Sequence, residues 1–254
     1  MHVKARCLLR PLVAGFLAAL LAGCPVRPPA APALAASAPD EAPAPHLGRP
    51  YDIVPQESLL TILVFRAGTL ASAGHNHVIA SHTLSGTIYV PEDLAQASFE
   101  AQVPLLDLTV DEAALRAGEM SRDFPPDVPD TAREGTRRNM LGAALLDAAD
   151  FPQISLRTVS VAPAADNTAA DGAAPARPAT GLVQVAMQAE VRGQRRTLSV
   201  AVRYERRDAT VIASGELPLK QTTLGLTPFS AMLGALQVQD EMRVRFRIVA
   251  RTTR

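Results

Sequence analysis

The sequence predicts a mainly β protein: an antiparallel barrel of about eight strands with one inserted α-helix. Three observations predict it. Apolar residues recur with a period of two through most of residues 51–252, short polar or Gly-containing connections separate many of the runs, and only the segment 130–152 is spaced like a helix. Successive side chains of a strand point to opposite faces, so alternation buries one row and wets the other. A sheet of this size gains by closing on itself, because closure removes its exposed edges.

Two segments precede the folded part. Lys4, Arg6 and Arg10 lead into the apolar run "PLVAGFLAALLAG" (11–23), which is too short for a membrane-spanning helix and has the form of a signal-peptide core. The string "LAGC" (21–24) resembles the lipobox of bacterial lipoproteins. That resemblance implies that residues 1–23 are a lipoprotein signal peptide and that Cys24 is the acylated first residue of the mature chain. Several acyl chains, each contributing about 0.8 kcal/mol per buried methylene, give stable attachment where one chain is marginal. The expected location is therefore the bacterial cell envelope, lipid-anchored and facing the periplasm. Pro25, in place of the Asp associated with inner-membrane retention in some bacteria, favours the outer membrane. Residues 24–50 then form a Pro/Ala-rich tether with little that can pack.

Composition excludes several functions for the unit 51–252. Cys7 and Cys24 are the only cysteines, so that unit has no disulfide, thiol nucleophile or thiolate metal site. Acidic and basic residues number 25 each with no basic run in the folded part, which argues against a nucleic-acid partner.

Taken in order, strands are expected at 58–66 ("SLLTILVFR"), 77–90 ("HVIASHTLSGTIYV") and 97–109 ("ASFEAQVPLLDLT"). The helix follows over 130–152, with Asp130 as its cap and Met140, Leu141, Ala144 and Leu145 at helical intervals before Pro152. A strand at 153–161 leads to the loop insertion 162–179, which has almost nothing large enough to bury. Strands 181–191 and 197–205 flank "RGQR" (192–195), whose Gly suits a tight turn, so they form a hairpin. The last two strands are 209–221 and "DEMRVRFRIVAR" (240–251), where Arg243, Arg245 and Arg247 make a wet face opposite an apolar one.

The inward rows follow from parity: Val183, Val185 and Met187; Leu198, Val200 and Val202; and Val244, Phe246 and Ile248. These nine are the candidate barrel lining. A barrel of about eight strands is either filled by its own side chains or just holds one small ligand, and alternation is compatible with both. Met140, Met187, Met232 and Met242 suit either case, since thioether chains fill gaps and also line adaptable pockets.

Three stretches carry a wider likeness: "YDIVPQESLLTILVFRAGTLASAGHNHVIASHTLSGTIYV" (51–90), "TRRNMLGAALLDAADFPQISLRTVSV" (136–161) and "GELPLKQTTLGLTPFSAMLGALQVQDEMRVRFRIVA" (215–250). With the hairpin at 181–205 they resemble the YceI-like domain family over essentially the whole folded unit. The resemblance implies a lipocalin-like barrel that binds a polyisoprenoid, quinone-like lipid, with no catalysis and no cofactor beyond that bound lipid. This chain departs from the family pattern in "LLDAADFPQISL", where Phe151 is the sole aromatic and Leu156 stands where Phe is common, and in the longer loop 162–179. Aromatics make up 4% of the chain and Trp is absent, so a pocket would be aliphatic and would suit a flexible tail better than stacked rings.

The stretch "GHNHVIASH" (74–82) holds three of the five histidines. In an extended strand His75 and His77 share a face, with His82 on the other. Two imidazoles do not make a metal site, and no nearby motif adds further ligands, so no metal is expected. The leading expectation is structural: Gly74 and Asn76 tolerate left-handed backbone, and a His bonds turn backbone at the barrel's mouth. The alternative is that His75, Asn76 and His77 touch a ligand's head group. Asp107, Asp111 and Glu112, where a strand meets a loop, are expected to be solvated. No catalytic motif stands out. The competing functions are a hydrolase-type enzyme built on the barrel, or a metal-handling protein using His75 and His77.

Overall fold

A computed structural model describes residues 45–164 and 179–252. The signal peptide, Cys24, the tether as far as residue 44 and most of the 162–179 loop lie outside these residues. The chain forms β1 (Arg49–Ile53), β2 (Leu59–Ala67), β3 (His77–Ser81), β4 (Ser85–Val90), β5 (Ser98–Pro104) and β6 (Thr109–Val110). Two helices follow, α1 (Ala113–Gly118) and α2 (Asp130–Leu141). The remaining strands are β7 (Gln153–Pro163), β8 (Ala179–Val191), β9 (Gln194–Arg207), β10 (Thr210–Lys220), β11 (Ser230–Ala231) and β12 (Leu236–Arg251).

All described pairings are antiparallel, and the ladder closes. Going round the wall, β12 meets β10, β9, β8, β7, β5 and β4 in turn, and β1 joins β4 back to β12. β2, β3 and β6 continue the positions of β1, β4 and β5 lower down, because β12 pairs first with β2 and then, past Arg247, with β1. The result is an eight-position meander whose first strand closes on its last. The β8–β9 turn, α2 and residues 221–235 lie at one end, called lower here, and the β9–β10 turn and the start of β1 lie at the upper end.

Two expected strands differ and one strand was not expected. The strand regions 77–90 and 97–109 each break in two, at 82–84 and at 105–108, and β1 is an additional strand separated from β2 by a gap at 54–58. In that last gap the buried Ser58 hydroxyl accepts from the Val249 N–H at 3.0 Å and donates to the Val54 carbonyl at 2.8 Å, bridging the interrupted ladder. β1 begins inside the expected tether. Pro50 is tolerated there because the β1–β12 pairing involves Asp52 and Ile53 only, so no N–H is required of it on that side.

The helix is shorter than its apolar spacing suggests. Asp130 is its first residue rather than its cap, which is Pro129, and it pairs with Arg133 one turn on. The helix stops at Leu141, where Gly142 turns extended, and residues 142–150 close in tight turns that bury Leu146 and Ala148. These two join Met140, Leu105, Leu108, Val191 and Leu224 in a floor across the lower end. The expected hairpin has a two-residue turn, with Arg192 and Gly193 both left-handed at φ 50° and 69°. That backbone matches the twist of the flanking strands.

Candidate functional site

Above the floor the barrel lines a cavity of about 300 Å³. Its wall includes Val183, Val185 and Met187 from β8, Leu198, Val200 and Val202 from β9, and Val244, Phe246 and Ile248 from β12. The first two rows face each other across the ladder as Val183–Val202, Val185–Val200 and Met187–Leu198. Of the four methionines singled out, Met187 and Met242 are on the wall, Met140 is in the floor, and Met232 is exposed at a loop tip.

Two glycines shape the interior. A Cβ at Gly215 would lie 2.7 Å from the Phe246 ring, and one at Gly181 would lie 2.8 Å from the Tyr204 ring. Each strand glycine therefore makes room for an aromatic on the neighbouring strand. The only sequence signal for this is a Gly inside an alternating run, which marks a close approach without naming the partner. Polar members of the wall are few: Ser98, Thr158, Tyr204 and Arg206.

The histidine stretch builds something else. His77 is buried, its Nδ1 lies 2.6 Å from Asp111 Oδ2, and its Nε2 lies 3.0 Å from the Thr136 hydroxyl on α2. The other Asp111 oxygen accepts from the Val78 N–H at 2.9 Å and from Arg116 at 2.5 Å. Arg116, 1% exposed, also donates to the carbonyls of Asn76 and Pro125. The Asn76 side chain accepts from the Arg66 N–H and donates to the Asp123 carbonyl. The network ties β3, α1, α2 and the chain between the helices into one unit.

Several expectations are corrected here. Asp111 is fully buried, not solvated: its left-handed backbone, φ 56°, turns the carboxylate back toward β3. Burial alone would raise its pKa, but the bonds from His77, Val78 and Arg116 outweigh that and hold it below the ordinary carboxylate value. Asp107 is exposed as expected, while Glu112 is half-buried and bonded to His82 and Thr109. Gly74 is not left-handed, and His77 bonds side chains rather than turn backbone. His75 stands with its ring 6.1 Å from that of His77, and burial, then the nearby charges of His77 and Arg116, push its pKa down.

Thr136, His77 and Asp111 are linked as hydroxyl, imidazole and carboxylate, the connectivity an acyl-transfer enzyme uses. None of the three is on the cavity wall. Among the described residues no group of three or more His, Cys, Asp or Glu side chains is placed to hold a metal ion.

Comparison with known proteins gives a consistent answer. The profile of the YceI-like domain family matches residues 51–250. No curated protein matches. Among solved structures, BcnA of Burkholderia cenocepacia superposes with a TM-score of 0.52 at 18% identity, covering 78% of this chain and 99% of that one. A polyisoprenoid binding domain from Saccharophagus degradans, implicated in plant cell wall breakdown, superposes with a TM-score of 0.52 at 12% identity, covering 80% and 98%.

Proposed function

Because the chain belongs to the YceI-like domain family, we propose that it is an envelope-anchored binding protein for an apolar, polyisoprenoid (quinone-like) lipid held inside the barrel, without catalysis. The observation that carries this reading is the wall of the cavity, aliphatic over most of its height and closed off below by Leu108, Val191 and Leu224. An apolar cavity of about 300 Å³ is at the small end of ligand sites. Each methylene moved there from water gains about 0.8 kcal/mol, so a linear hydrocarbon gains with every unit it inserts. The Saccharophagus degradans domain, a polyisoprenoid binding domain, supports the same ligand class.

The anchoring part of the proposal stands on "LAGC" and Cys24. The direct experiment is mass spectrometry of lipids extracted from the purified protein. The expected result is a stoichiometric linear apolar lipid, and protein that yields none even after incubation with total membrane lipid would end the carrier reading.

A further inference from the structure

Two neighbouring loops at the lower end carry no charge. Residues 67–74 ("AGTLASAG"), which follow β2, and residues 221–239 ("QTTLGLTPFSAMLGALQVQ") contain no Asp, Glu, Lys, Arg or His, in a chain of which 20% is charged. The fold sets them side by side. The Leu70 N–H donates to the Ala235 carbonyl at 2.8 Å, and a Cβ on Gly68, which is left-handed at φ 89°, would strike that same oxygen.

What these loops hold outward is apolar. Met232 and Leu233 form the tip of the second loop, 68% and 110% exposed, and Leu70 is exposed on the first. Both tip residues are left-handed, at φ 52° and 55°, a backbone that Gly adopts freely and Asn or Asp more readily than Leu or Met. The fold clamps this strained turn from below: β11 pairs with β12 through Ser230–Gln237 and Ala231–Leu236, and the Ala235 N–H closes on the Met232 carbonyl at 3.2 Å. The tip is therefore a fixed apolar knob, and strain of this kind gathers at functional positions. Met120 is also exposed and left-handed, but it stands among Glu119, Arg122 and Asp123 as a single apolar surface residue.

The shape and neutrality of the knob select its partner. A stable contact with another protein buries about 800 Å² on each side and seats side chains in pockets, and a convex tip of this size supplies neither. A bilayer interface needs no complementary shape: it takes up apolar side chains in proportion to their area, and only nearby charges would resist entry. Reach is also sufficient. The chain enters the barrel at the upper end, and residues 24–45 span at most about 75 Å when extended, against about 50 Å for the 16 residues of β12.

We propose that the lower end of the barrel docks on the membrane surface, with Leu233, Met232 and Leu70 entering the interface of a lipid bilayer. This goes beyond the cavity and its ligand, and takes from the anchoring reading only that a membrane is within reach.

The chain has no Trp, so one introduced indole reports alone. Full-length Leu233→Trp, mixed with phosphatidylcholine vesicles, is expected to shift its emission to the blue and to be quenched when the lipid acyl chains are brominated. Val159→Trp, at an exposed position on β7, is expected to do neither. Added phosphatidylglycerol or high salt is expected to change nothing, because the docking surface has no charge to screen. Leu70→Trp is expected to respond as Leu233→Trp does, and to lose most of that response when Met232→Asn and Leu233→Asn are added. Asn suits left-handed backbone, so those two changes are expected to leave the melting temperature unchanged or raised. Because the vesicles are supplied in solution and the indole reports its own position, the result does not depend on acylation of Cys24. No vesicle response at position 233, or an equal response at 159, overturns the proposal. So does a blue shift that grows with protein concentration without vesicles, which gives the tip to a second copy of the chain. A fall in melting temperature with the two Asn changes overturns it as well, since the tip residues would then be packing into the fold.

Discussion

At the scale of single residues, Asp111 has the most to lose. Replacing it with Ala leaves the Arg116 guanidinium buried with its carboxylate partner gone, and breaking one side of a buried pair typically costs about 3–5 kcal/mol. The pH dependence has a definite sign. The folded carboxyl titrates below its ordinary value of 3.8, so its stabilisation is complete above that value and is lost as pH falls through the lower, folded value. Melting temperatures measured downward from pH 5 are expected to fall more steeply in the wild type than in Asp111→Asn. Parallel curves would show that the carboxylate does not carry the effect. The nine wall residues were legible because parity alone assigns a side to each position of a regular strand. Asp111 was not legible, because it follows β6 in a left-handed conformation and parity ends where the strand ends. Arg116, five residues on, gave no sign of its role, since a lone basic residue in a short helix is ordinarily solvated.

At the scale of elements, one close fit is between β10 and β12, where Gly215 lies beside Phe246. A Cβ on Gly215 would also approach the Ala201 carbonyl oxygen to 2.8 Å, and a carbonyl fixed in a ladder yields less readily than a side chain. Gly215→Ala is therefore expected to cost about 1–3 kcal/mol, the range for overpacking, although Ala is the better residue for an ordinary strand. Chemical denaturation decides it, and an unchanged midpoint would mean that Phe246 swings aside freely. The hairpin of β8 and β9 was readable, short by two or three residues at three of its four strand ends, because its alternation is long and its Gly193 marks the turn. The breaks in the first three wall positions were not. Each half keeps its own alternation, and what separates them is a tertiary bend in which Ser58 stands in for a ladder bond. The helix end was overrun for a related reason: Leu145 and Leu146 continue the apolar content of α2 but are packed by turns.

At the scale of the whole molecule, the question is whether the interior is occupied by ligand or merely loosely filled. Val200 lies near the middle of the wall, opposite Val185. If the proposed lipid fills the space beside it, Val200→Phe is expected to abolish co-purifying lipid while leaving the melting temperature of delipidated protein nearly unchanged. A packed core would instead lose about 1–3 kcal/mol from the same change. For the proposed anchor, Cys24→Ser is expected to move the protein from the membrane to the soluble fraction. A variant that still sediments with membranes after a high-salt wash would remove the lipoprotein part of the proposal.

The closure of the wall sets the order in which the molecule is built. β12 pairs with β10, β11, β2 and β1, and the last ladder steps join Asp52 to Arg251 and Ile53 to Ala250. Nearly the whole described chain lies between these partners, so the seam is a contact of very high sequence separation, the kind that folds slowly. While the chain emerges from a ribosome, the local hairpins form first, and an open sheet with two bare edges persists until residue 251 is free. That interval is when the molecule is most prone to sticking to its own kind. An upstream strand carrying Pro50, and the arginines along β12, guard those edges in the meantime.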